Sequence, residues 1–251
     1  MKTAKIGGHE VEIYDGIDTL PVLRFHAFNK MMLIDSGLGS DLSDFDAHAE
    51  RVIRFIMAKD SESAIKEMQN LRQNLYMIQS GISPRNMAFA ALVKTIDGKA
   101  YDDLTTEGLT RVIEVLKDAT DKEITAETEA VKKKIDEELA VYFPKTQDDP
   151  KVKEYHDLMR RRALLQCDAI TEETDRYNEE IDALTTKLMT YNKPQSFMGK
   201  DSAEVQYDKA FENMCLVISR ELHADAKRMT VLEYYNAFEF VKDMNKQNKK
   251  Q

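Results

Sequence analysis

Residues 151–191 contain neither proline nor glycine, and within them Ile170, Thr174, Tyr177, Ile181, Leu184, Leu188 and Tyr191 recur four and three apart. That alternation keeps side chains on one stripe of a helix, so the segment predicts a single uninterrupted rod with a coiled-coil seam. A helix of 41 residues is roughly 60 Å long at about 1.5 Å per residue. Ahead of it Ile124, Val131, Ile135, Leu139 and Tyr142 keep seam spacing among lysines and glutamates, and Pro144 and Pro150 bracket a break. The two arms predict a long antiparallel, coiled-coil-like hairpin over 119–192. Its second arm outruns its first, which leaves an apolar edge for the last helices of the chain or for a second subunit. Ile170, Tyr177, Ile181, Leu184, Leu188 and Tyr191 are therefore candidate protein-interaction residues.

The fold class expected from the remainder is all-α, with one exception at the N-terminus. Over 1–17 the alternation Val11, Glu12, Ile13, Tyr14 after Gly7 and Gly8 reads as a small β-hairpin arm, which cannot stand alone. A globular helical domain follows over 18–118. Its first helix runs from about Asp18 with Pro21 in the first turn. A second is opened by Ser43 with Asp46, through Val52, Ile53, Phe55 and Ile56; a third is capped by Ser61 and passes through Ile65, Met68, Leu71, Leu75, Tyr76 and Ile78. Ser83 and Pro84 start a nearly all-apolar central helix expected to run through Ile96 to Gly98, and a fifth lies near Leu109 to Leu116. Residues 193–251 form a C-terminal helix pair and a basic tail. The second of the pair opens with the box Thr230 and Glu233 and carries Tyr234, Tyr235 and Phe238, aromatic anchors for intramolecular docking or for another protein.

Charge and chemistry narrow the function classes. A net charge of −9 argues against general nucleic-acid affinity, which depends on basic residues neutralising phosphates. Hydrophobic residues make up 42%, but no run approaches the roughly 18 apolar residues of a membrane span, and no secretory leader is evident. The expected setting is the cytoplasm where the chain is made, or a particle. Cys167 and Cys215 lack metal spacing. Asp41, Asp44, Asp46 and His48 bunch at a helix start and offer hard or borderline metal ligands, yet acidic residues there also answer the helix dipole. The turn Gly37, Leu38, Gly39, Ser40 lacks the strand and lysine of a phosphate loop. His223 sits at a helix end, and Arg160, Arg161 and Arg162 splay around a helix rather than forming a patch. No catalytic residue, cofactor or metal site is assigned.

The stretch LPVLRFHAFNK over 20–30, its continuation LIDSGLGSD over 33–41, and NLRQNL over 70–75 resemble uncharacterised structural and assembly proteins of tailed bacteriophages. TVLEYY over 230–235 is similar in style to helices that end some phage tail-assembly proteins. The resemblance implies a non-enzymatic virion component or assembly factor whose partners are other copies of itself and other structural proteins. A soluble assembly chaperone or helix-binding module is the alternative, and a metal-dependent enzyme a third.

Overall fold

A computed structural model describes residues 1–144, 150–191 and 193–248. The expected linker between Pro144 and Pro150 and the last three residues of the tail fall outside these. Ten helices and a four-stranded antiparallel sheet are present among the described residues. β1 (Lys2–Ile6) and β2 (His9–Ile13) pair through a two-residue turn at Gly7 and Gly8, whose positive φ of 56° and 87° matches the twist of a tight hairpin. This arm does not stand alone. β2 also pairs with β3 (Val93–Ile96), and β3 turns at Asp97 and Gly98 into β4 (Lys99–Ala100), giving the order β1-β2-β3-β4.

The central helix is correspondingly shorter than its composition indicates. α4 (Pro84–Leu92) ends at Leu92, and the residues expected to continue it to Gly98 form β3. Val93, Thr95 and Ile96 are β-branched, Asp97 and Gly98 supply the two left-handed residues of a hairpin, and Val93 pairs with Ile13. An apolar run has no polar face from which its period can be read.

α1 (Val22–Leu38), α2 (Leu42–Met57), α3 (Ser61–Ser80), α5 (Thr106–Val115) and α6 (Asp121–Tyr142) surround this centre. Their starts are chemically marked. Asp41 and Asp44 form the reciprocal capping box of α2, in place of Ser43 with Asp46, and Asp60 rather than Ser61 caps α3. Ser83, Thr105 and Thr120 cap α4, α5 and α6. One buried cluster joins Ile6, Val11 and Ile13 of the sheet to Phe28, Phe89, Leu92, Leu109 and Val112, and also to Ile124, Val131 and Ile135 of α6. The α6 seam thus turns into the main core, where Lys134 also pairs with Asp15 at 2.7 Å and Glu138 accepts from the Ile17 amide at 2.8 Å.

The rod expected over 151–191 is broken. α7 (Pro150–Thr171) and α8 (Asn178–Tyr191) are separate, with Glu173 in the left-handed region (φ 49°) and the Thr174 amide returning to the Ala169 carbonyl. The Thr174 hydroxyl then accepts from the Arg176 amide, a local turn that competes with helix. α8 folds back on α7: Arg161 meets Glu180, and Lys187 meets Glu154 at 3.1 Å. α7 buries none of its residues. α9 (Ala203–Leu222) and α10 (Val231–Asn248) return to the body, where the Val22 amide donates to Met229 and the Val231 amide to Leu20, both at 2.9 Å. No described helix is long and apolar enough to cross a membrane.

The α4–β3 junction is held by one side chain. Arg24, 4% exposed, donates to the carbonyls of Ala91 (3.2 Å), Val93 (2.7 Å) and Tyr101 and to the Asp102 carboxylate (2.9 Å). Each buried acceptor left without a donor costs about 1–3 kcal/mol. Arg24→Met is expected to lower the unfolding free energy by roughly 2–4 kcal/mol in urea titrations. A change below about 0.5 kcal/mol, the range of a neutral surface substitution, would show that the junction does not depend on it.

Candidate functional site

α3 is amphipathic in the inverted sense. Ser63, Glu67, Asn70 and Asn74 recur three and four apart on one face, and all are buried. Ile65, Met68, Leu75 and Tyr76 fall on the opposite face and are exposed. The cause lies in what the inner face meets. It meets the C-terminal end of α1, whose last carbonyls have no intrahelical donors. The Leu38 carbonyl accepts from His48 Nε2 and Asn74 Nδ2, both at 2.9 Å. A carbonyl only accepts, so His48 Nε2 is a donor here. Its Nδ1 lies 2.8 Å from Glu67 Oε1, and the Arg51 guanidinium closes on the same oxygen at 2.5 Å. Asn70 Nδ2 donates to the Gln195 carbonyl at 2.9 Å, tying the segment after α8 to α3. That segment is held close by Phe197 against Gly37, where a Cβ would come within 2.2 Å of the ring.

A polar row that anchors two backbone segments leaves the apolar row of the same helix facing water. On α2, Ile53, Ile56 and Met57 are exposed as well, the last at 77%, and with Ile65 they flank the turn between the two helices. Sequence reasoning read these residues only as helix periodicity. The available signal was the second periodicity, Ser63, Glu67, Asn70 and Asn74, which a solvated face does not need.

The candidate interaction residues scatter. Ile170 is exposed near the end of α7, and Tyr177 lies in the α7–α8 turn with its hydroxyl 3.2 Å from Glu172. Ile181 is half-buried, Leu184 and Leu188 are buried, and the Tyr191 hydroxyl bonds Glu154. Tyr234, Tyr235 and Phe238 do come together. With Phe25, His26, Tyr207, Phe211 and Met214 they line a cavity of about 330 Å³. His26 stacks on Tyr207 (centroids 4.7 Å apart, planes 4° apart) and on Phe211 (4.0 Å, 13°). His26 Nε2 donates to Asp208 at 2.9 Å, and Lys30 holds the other Asp208 oxygen at 2.7 Å. Burial pushes the His26 pKa down despite Asp208. Burial alone raises the Asp208 carboxyl, but hydrogen bonds from Lys30 and His26 bring it below its ordinary value. With its charges paired at the rim, the cavity suits an apolar or aromatic group.

The clustered acids and His48 are committed elsewhere. Asp41 and Asp44 cap α2, His48 serves Leu38 and Glu67, and His223 adopts the left-handed C-cap of α9. Among the described residues no three His, Cys, Asp or Glu side chains are grouped to hold a metal ion. Cys167 is exposed and Cys215 buried. Arg160 pairs with Asp157, and Arg161 with Glu180. No protein-family model, curated protein or solved structure matches this chain.

Burial lifts the Tyr207 phenol from 10.0 to about 12. A raised folded-state pKa contributes stability that is complete below the unfolded value and is lost as pH rises through the folded one. Stability is therefore expected to fall from about pH 10 upward, and Tyr207→Phe to make that alkaline decline shallower. Absorbance at the phenolate band should show one tyrosine fewer titrating near pH 12; an unchanged alkaline titration in the variant would contradict this.

Proposed function

We propose that this protein is a non-enzymatic structural or assembly protein of a tailed-phage particle, acting through protein–protein contacts in a multimer. The inverted α3 carries the reading. Removing one isoleucine or leucine side chain from water is worth about 1.5–3 kcal/mol, so a helix that faces several of them outward gains stability when another protein covers them. The segments that resemble phage assembly proteins also meet here: NLRQNL supplies Asn74, and LIDSGLGSD supplies the Leu38 carbonyl to which it donates. The unmatched edge of a 41-residue rod no longer supports the reading, because α8 turns back along α7.

The aromatic cavity favours a second reading, an assembly chaperone that holds an apolar side chain or helix of a client. The two differ in where the partner ends up. Affinity-tagged chain recovered from infected host cells is expected to sediment with phage structural proteins, and Ile65→Asp with Leu75→Asp to abolish that association. Recovery of the chain alone, or association untouched by the double variant, would contradict the assembly reading. A stoichiometric partner missing from finished particles, released by Phe238→Ala, would establish the chaperone reading instead.

A further inference from the structure

The cavity between α1, α9 and α10 has the size and the walls of a small-molecule site. Its volume of about 330 Å³ falls within the roughly 300–1,000 Å³ that ligand pockets occupy. Rings form most of its lining, and they meet in two ways. His26 is stacked on Tyr207 and Phe211 with planes 4° and 13° apart, whereas Tyr234 stands nearly edge-on to Tyr235 at 73°. Aromatic rings attract one another in offset stacks and face to edge, so such walls favour a flat ring over an aliphatic chain.

Charge narrows the guest further. Among the described residues, none that lines the cavity is Asp, Glu, Lys or Arg. The Asp208 carboxylate at the rim is committed, with Lys30 on one oxygen at 2.7 Å and His26 on the other at 2.9 Å. Glu204, beside the same pair, does not line the cavity, and burial pushes its carboxyl toward the uncharged form. A charged guest would enter an apolar site that holds no free counter-charge, which is costly. The guest is therefore uncharged.

Two polar atoms remain unanswered. The Tyr234 hydroxyl and Cys215 bond each other, but among the described residues neither the Tyr207 nor the Tyr235 hydroxyl has a hydrogen-bond partner. Burial pushes both phenols above the ordinary tyrosine value, and the nearby Tyr235 adds to the rise at Tyr207. Tyrosine hydroxyls withdrawn from water normally find a partner. Two unanswered hydroxyls on one apolar cavity call for two hydrogen-bonding groups on one guest. A tyrosine or tryptophan side chain offers only one, so a ring carried by another protein leaves half of the demand unmet.

We propose that this cavity binds a free, uncharged, planar aromatic molecule carrying two hydrogen-bonding groups, held by the stacked rings and by the hydroxyls of Tyr207 and Tyr235. The site goes beyond the contact function proposed for α3 and does not depend on it.

Resorcinol, phenol and the cyclohexanediol that matches resorcinol test this on the purified full-length chain. The first two differ by one hydroxyl, and the third keeps both hydroxyls on a ring that is not flat. Met214 lines the cavity, so its isotope-labelled methyl group, read by NMR, reports occupancy, with the buried Met87 as internal control. Resorcinol should move the Met214 signal and not that of Met87, with a dissociation constant of about a millimolar or tighter. Phenol should bind roughly two- to tenfold more weakly, the worth of one net hydrogen bond. Tyr207→Phe keeps the ring and should bring resorcinol and phenol to the same affinity. Ala210→Trp, at an exposed position on the cavity wall, should exclude both with the helical circular dichroism unchanged. An unmoved Met214 signal at about ten millimolar resorcinol, well above that affinity, overturns the proposal. So does equal binding of the cyclohexanediol, or a Tyr207→Phe chain that still prefers resorcinol. N-acetyl-tyrosinamide binding more tightly than resorcinol would assign the cavity to a protein side chain and overturn the free ligand.

Discussion

The Leu38 carbonyl, at the open end of α1, sets the orientation of everything packed around it. Left bare in the interior it would cost a few kcal/mol. His48 from α2 and Asn74 from α3 answer it together, Glu67 answers His48, and Arg51 answers Glu67. Meeting that demand requires α3 to turn its polar row inward. The helix has one apolar row left, and geometry sends it outward. An interior requirement thereby becomes a surface property, the chain of cause that links backbone hydrogen bonding here to an exposed apolar row.

The same logic places polar side chains at other junctions. Arg24 collects the carbonyls where α4 becomes β3, and Glu138 accepts the Ile17 amide where the arm enters the body. Aliphatic packing fills the space between: the sheet, α4, α5 and α6 share one cluster, and α9 with α10 forms a second around Cys215, Ile218 and Ala226. The α7–α8 hairpin belongs to neither, since α7 is solvated along its length and the buried Leu184 and Leu188 lie on α8. It projects as an arm held by ion pairs and by one side of α8.

Much of the helical organisation was legible because helix starts are chemically explicit. Ser83 with Pro84, Thr230 with Glu233, and Ser202 all lie where their side chains bond the first turn. The N-terminal hairpin was legible from its glycine pair, although its partner β3 was hidden in an apolar run. The stop of α7 was illegible for a different reason. Helix ends are marked by glycine at a left-handed position, and here Glu173 occupies it, so the sequence reads through. Facing was hardest to read. Periodicity says which side chains share a face, not whether that face meets carbonyls or solvent. The α3 row is visible in the sequence as a stripe, and the rule that apolar faces are buried points it inward; Asn70 and Asn74, answering backbone carbonyls, override that rule. The same limit applied to α6, whose seam found the main core rather than a second arm.

The central claim is that the apolar row of α3 is open in the isolated chain and covered in its working state. Methionine oxidation footprinting reads this directly, because Met68 lies on the row and Met57 is exposed at the end of α2 just before α3, while Met87 is buried in the core. The account predicts rapid oxidation of Met57 and Met68 in dilute chain, strong protection of both in the assembled state, and slow oxidation of Met87 throughout. Equal reactivity of Met57 and Met68 in the dilute and assembled states would contradict it.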